Sequence, residues 1–181
     1  MGWELLDSLT ADEAQVVLRN FLDVESNAFR EVLPLAAKDG ISVDFSIASI
    51  VPMLVWIARQ LKQVPIEPPP DIPDWIRRDH EKNCGWVEFD EPSKVLVFRA
   101  GYYLGESFVR NVQGLEWGVG HPDYSDKNTP VVTGFVKDEE MPAIRVARVM
   151  LSRTVRAGND AHIGKAINHW LSKAPTYAGR R

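Results

Sequence analysis

Glu106 is the residue of this chain whose type and neighbours best suit acid–base chemistry. It lies four residues after Tyr102 and four before Arg110 in the stretch RAGYYLGESFVRN (99–111). On a helix that spacing brings the three side chains to one side. Tyr103 is adjacent, and Trp117 follows just beyond the helix. A glutamate so placed can do three things. It can form an ordinary ion pair with Arg110, worth about 0.3 kcal/mol at this spacing. It can be a structural acid, hydrogen-bonded to Trp117 or to a backbone amide. Or it can act as a general acid or base, with Tyr102 or Tyr103 as helper and Trp117 walling a pocket. Catalysis needs partners, and the chain has no G-x-S-x-G, no phosphate loop and no Ser-His-Asp signature. No catalytic residue is therefore assigned, and Glu106 is the one acid/base candidate. Glu106, Tyr102, Tyr103, Arg110 and Trp117 are read as binding residues.

A second group of binding candidates, His121, Asp123, Tyr124 and Asp126, falls in the polar stretch HPDYSDKNT (121–129). This stretch lacks the alternating acids and the glycine of a calcium loop. His80 and Cys84 have a spacing that a metal pair can use, but no second pair has ligand spacing. His162 and His169 read as surface or cap residues. No metal and no cofactor are expected. Arg145, Arg148 and Arg156 share a helix face, balanced by the acidic residues 138–140 just before them. A phosphate- or acid-binding stripe is the alternative to a solvated face. Without interleaved aromatics, nucleic acid is not an expected partner. Trp3, Trp75, Trp86, Trp117 and Tyr124 fall in short or irregular segments, where aromatics can anchor a protein partner.

The 181 residues carry a net charge of −4, so there is no basic field for nucleic acid or anionic membrane. The most apolar run, residues 46–58, is too short for a bilayer, which needs about 20 residues. The single cysteine forbids an intrachain disulfide. No signal peptide is evident at the N-terminus. The expectation is a cytoplasmic chain with no membrane partner.

The elements that must hold these residues can be read from periodicity. Thr10 and Glu13 form a capping box for a helix that Pro34 should kink or end, with Gly40 as a stop. A second helix is capped by Ser46 or Ser49, and Pro52 favours the later start, because proline belongs in a first turn. Val55 and Trp56 lie off its main stripe, so it should be covered on more than one side. Residues 64–74 hold a proline-rich connector. A short helix follows in PDWIRRDHEKN, then GWVEFD as a strand or irregular segment. The central helix should open at Pro92 and Ser93 and end at Gly114. Phe98, Gly101, Tyr102, Gly105, Val109 and Val112 form one apolar face of it, and Val97, Leu104 and Phe108 a second. Its two glycines, one turn apart, should let another backbone approach closely. LEWGVG and PVVTGF are expected to pair antiparallel across the 121–129 loop. The chain closes with two helices, one from Pro142 to Gly158, the other capped by Asp160 with Ile163, Ala166, Ile167, Trp170 and Leu171 on one stripe. The sum is a helix-dominated α+β single domain over 1–176 with a small antiparallel β pair or sheet, and a loose tail at 177–181.

Two of these segments also carry a resemblance. VDFSIASI (43–50) and GYYLGESFVRNVQGLEW (101–117) together resemble small bacterial domains of unassigned activity, with a Tyr-Leu-Gly-Glu helix followed by Gly and Trp. Some of those look like immunity or accessory proteins encoded near secreted toxins. Pro52 and the proline insert depart from that pattern. The resemblance implies a small mixed helical bacterial domain and brings no catalytic residues. With the missing catalytic constellation and the acidic balance, it leads to a non-enzymatic domain that binds a protein through the 121–129 loop and nearby acids. The alternative is a small-molecule-binding or hydrolytic domain using Glu106. A third reading is self-association through the Gly101–Gly105 face.

Overall fold

The computed structural model describes residues 8–83 and 85–175. The His80–Cys84 pair, Trp3 and the 177–181 tail fall wholly or partly outside that description. In chain order the elements are α1 (Ala11–Lys38), α2 (Ile47–Ala58), β1 (Gln63–Pro65), α3 (Asp74–Asn83), β2 (Val87–Phe89), α4 (Glu91–Asn111), β3 (Glu116–Val119), β4 (Pro130–Thr133), α5 (Ala143–Ala157) and α6 (Ala161–Lys173). A single 3₁₀ turn, Val136–Asp138, precedes α5. This is the expected helix-dominated α+β domain, with two small antiparallel sheets rather than one. No helix among the described residues is long and apolar enough to cross a membrane.

α4 is the axis of the domain. It packs against α1, α2 and α5, and against β2, β3 and β4. That explains two apolar faces on one helix. Tyr103, Leu104 and Phe108 are fully enclosed, with Ile50, Leu54, Ile57 and Leu151 of the flanking helices around them. Phe98 and Val109 depart from the expected face, since Phe98 is exposed and Val109 half-buried. The two glycines serve different neighbours. A Cβ on Gly101 would lie 2.6 Å from Cα of Ile144, so α5 does approach backbone to backbone there. A Cβ on Gly105 would lie 2.2 Å from the Trp117 indole, so that notch holds a side chain and not a second helix.

Local chemistry sets most boundaries. The Thr10 hydroxyl accepts from Glu13 N–H, and Glu13 Oε2 accepts from Thr10 N–H at 2.8 Å, completing the capping box. Two proline readings need correction. α1 runs through Pro34 to Lys38, and α2 starts early, at Ile47, with Pro52 inside it. Both prolines are exposed, so the carbonyls they leave unpaired can reach water. At α2 the earlier start is held by Ser46 Oγ, which accepts from Ser49 N–H at 3.2 Å. Burial of eight α2 residues, Trp56 among them, outweighs a proline cost of about 3 kcal/mol. Trp56 donates Nε1–H to Asp39 Oδ2 at 2.8 Å.

Other boundaries shift as well. The proline connector begins as strand β1, with Val64 and Pro65 paired to Glu88 and Val87. α4 is capped by Asp90, which places Pro92 in its first turn, and it ends at Asn111 instead of Gly114. Asp160 occupies the cap position of α6 without a side-chain hydrogen bond. Asn159 Oδ1 accepts from Ala161 N–H instead, at 3.2 Å. Gly158 ends α5 in the left-handed region, as the stop signal requires. β3 and β4 pair in the expected sense, Trp117 opposite Val132.

Candidate functional site

The geometry places the sequence-derived residues in two separate groups. The first is a latch between the start of α2 and the last turns of α4. Tyr103 is fully buried, and its hydroxyl lies 2.6 Å from Ser49 Oγ and accepts from Phe45 N–H at 3.3 Å. Asn111 Nδ2 donates to the Phe45 carbonyl at 2.7 Å. Arg110 lies over the Phe45 ring, 4.0 Å from its centre. Phe45 itself has φ +57, an uncommon conformation for a bulky residue. These contacts, together with packing on Phe29 and Tyr103, hold it there. Hydrogen bonding from Ser46, side chain and then backbone, holds the neighbouring Asp44 carboxyl down to about 2. The 43–50 and 101–117 segments are thus physically interlocked.

Glu106 belongs to this latch. Its Oε1 accepts from Arg110 Nε at 2.7 Å and its Oε2 from Trp117 Nε1 at 3.0 Å. The side chain is 18% exposed. Two of the three parts considered for this glutamate, ion pair and structural acid, are therefore filled at once. Trp117 stacks on Tyr102 with the rings 6° from parallel, and Phe21 of α1 meets both edge-on. Burial pushes both phenols, Tyr102 and Tyr103, above their ordinary range.

The second group is the 121–129 loop. Its inner end is anchored: Asn128 Nδ2 donates to the Leu9 carbonyl at 3.0 Å, and Thr129 Oγ1 to the Asp126 carbonyl at 2.7 Å. Asp126 pairs with Arg145 of α5 at 2.5 Å. Burial raises the Asp126 carboxyl, with the Arg145 charge pulling it back. Gly120 closes the base of the loop, since a Cβ there would lie 2.0 Å from the Asp126 carbonyl oxygen. His121 N–H is held by Glu140 Oε2 at 3.0 Å. The tip faces out, with His121, Asp123 and Tyr124 exposed and the Tyr124 ring tilted 49° against His121, 5.4 Å between centres. A cleft of about 340 Å³ runs along the loop to Glu139, Glu140 and Arg145. It shares Glu140, Pro142 and Arg145 with a neighbouring cleft of about 480 Å³ between α5 and α6, lined by Arg153, His162, Lys165 and Trp170. Arg145 of the basic stripe thus serves the loop. Trp75 is 70% exposed on α3.

A third place was missed by sequence reasoning. Glu25 of α1 is buried at 9% exposure, and its Oε2 has no hydrogen-bond partner. Nε of Arg99, across on α4, is likewise buried without one. Burial raises the Glu25 carboxyl, and the Arg99 charge partly opposes that. Glu25 lines a cleft of about 640 Å³ with Glu88, Lys94, Val95, Phe98 and Arg148. The signal was present: Glu25 falls on the stripe of Leu18, Phe21, Leu22, Phe29 and Val32, where an apolar residue is expected.

No family model matches this chain, and no curated protein or solved structure matches it significantly, so function has to be argued from geometry.

Proposed function

We propose that this is a non-enzymatic, protein-binding domain whose partner docks on the 121–129 loop and the adjoining start of α5. The observation that carries this reading is a loop anchored at its base yet presenting an exposed aromatic, with Tyr124 50% exposed above Asn128 and Thr129, which are buried. A pre-ordered aromatic gives contact area at low entropic cost, the property of interface anchors. The clefts beside it add acids from Glu139 and Glu140 and bases from Arg145, Arg153 and Lys165, so the face can read charge as well as shape. The engagement of both Glu106 oxygens favours this reading over hydrolysis at that carboxylate. A bacterial, cytoplasmic protein of immunity or accessory type is the finer form of the proposal, supported by the resemblance of the 43–50 and 101–117 segments.

The test is capture of partners from the native host by the whole chain, run in parallel with Tyr124→Ala and Asp123→Lys. A protein held by the wild type and released by both substitutions is the expected result. A partner retained equally by all three chains, or no partner, overturns the assignment of this face. If the captured partner is not a toxin encoded nearby, the immunity form falls while protein binding stands.

A further inference from the structure

The cleft beside Glu25 combines features that the latch and the loop do not. Its walls are apolar, from Val95, Val97 and Phe98 of α4, Phe89 of β2 and Ile144 of α5. Phe98 and Val95 are 39% and 49% exposed, large apolar side chains facing open space. Its rim is charged but already paired: Lys94 bridges Glu88 at 3.3 Å and Glu91 at 2.7 Å, and Arg148 approaches Glu88 at 3.7 Å. The inner acid is not satisfied in this way. Glu25 is buried, and Oε2 accepts no hydrogen bond. Arg99, whose charge acts on Glu25, comes within 3.8 Å of Glu31, and its buried Nε makes no hydrogen bond to Glu25. An unpaired, buried carboxylate oxygen is costly, and because Glu25 lines the cleft, its carboxylate can take a donor from outside the chain. The volume, about 640 Å³, suits a small organic molecule.

We propose that this cleft binds a small primary amine with an apolar body, its ammonium on the Glu25 carboxylate and its body against Val95 and Phe98. A carboxylate is an acceptor only, so the complementary group is a donor, and an ammonium adds charge to the hydrogen bond. The face of Phe98 suits a cationic group or an aromatic body equally well. Among the described residues lining the cleft, both cations, Lys94 and Arg148, are already paired with Glu88 and Glu91, which disfavours an anion there. This site meets the loop face at the start of α5, through Ile144, but neither proposal depends on the other.

The probe is 2-phenylethylamine, with phenylacetate as its anionic counterpart of similar size, titrated calorimetrically into the whole chain near neutral pH. The amine is expected to bind the wild type and phenylacetate is not. Glu25→Gln keeps the shape, removes the charge, and should weaken amine binding by about tenfold or more. Val95→Arg, at an exposed position where folding is not at risk, should obstruct the mouth and weaken it as well. Circular dichroism of each variant confirms that a loss belongs to the site and not to unfolding. No amine binding to the wild type overturns the proposal. Amine affinity unchanged in Glu25→Gln, or equal affinity for phenylacetate, overturns it too.

Discussion

Glu106 accepts hydrogen bonds on both oxygens, from Arg110 and from Trp117. Glu25, also on a helix, is more deeply buried and leaves Oε2 unpaired. The difference should appear in stability. Folding holds the Glu25 carboxyl above its ordinary 4.5, chiefly by burial, against the pull of Arg99. The native state then binds that proton more tightly than the unfolded chain. The stabilisation is complete below 4.5 and is lost as pH rises through the folded pKa. Asp44 has the opposite sign. Lowered to about 2, it contributes above its ordinary 3.8 and loses that contribution as pH falls through about 2. Glu25→Gln should therefore gain on the wild type as pH rises from about 4 to about 8, followed by thermal melting. A constant difference across that range would mean that folding does not disfavour the ionised Glu25 carboxylate. Glu25 also marks what residue types can reveal. An acid on an apolar stripe was visible in the sequence, but whether a partner meets it depends on α4, and Arg99 turns toward Glu31.

At the scale of elements, the glycines of α4 make a sharp prediction. Alanine is favoured over glycine in a helix by about 1 kcal/mol. At Gly105 a Cβ would lie 2.2 Å from the Trp117 ring, and overpacking of that kind costs about 1–3 kcal/mol or more. The clash should win, and Gly105→Ala is expected to lose about 2 kcal/mol by urea denaturation. In a Trp117→Leu background the same substitution should cost clearly less, because the contact is gone. An equal cost in both backgrounds would deny that the notch exists for the indole. The spacing of Gly101 and Gly105 was legible beforehand, but which neighbour fills each notch was not. Periodicity places a face without naming what lies across it. The same limit applies to Pro34 and Pro52. Local propensity argued for an end or kink at Pro34 and for a later start near Pro52, and tertiary burial of α1 and α2 carried both helices through. β1 was hidden for a related reason, since Val64 and Pro65 read as connector until Glu88 and Val87 pair with them.

Across the whole molecule, α4 divides the work. One end of it is locked to α2 through Tyr103, Phe45 and Asn111, and its flank is closed by Trp117 and α5. This rigid frame leaves the 121–129 loop and the start of α5 as a pre-ordered face, while the Glu25 cleft opens between α1, α4 and α5. Helix class, the antiparallel β3–β4 pair and the loop between them were all legible in the sequence, because capping residues, glycine stops and alternation are local. The joining of the loop to α5 through Asp126 and Arg145 was not, since it spans elements that no spacing rule connects. On the proposed function, partners bind this face and not Glu106. That is tested most directly by amide hydrogen exchange of the whole chain with and without its captured partner. New protection is expected over residues 121–129 and the first turns of α5, with the 101–111 segment unchanged. Protection centred on Glu106 and Arg110, with the loop unaffected, would contradict it.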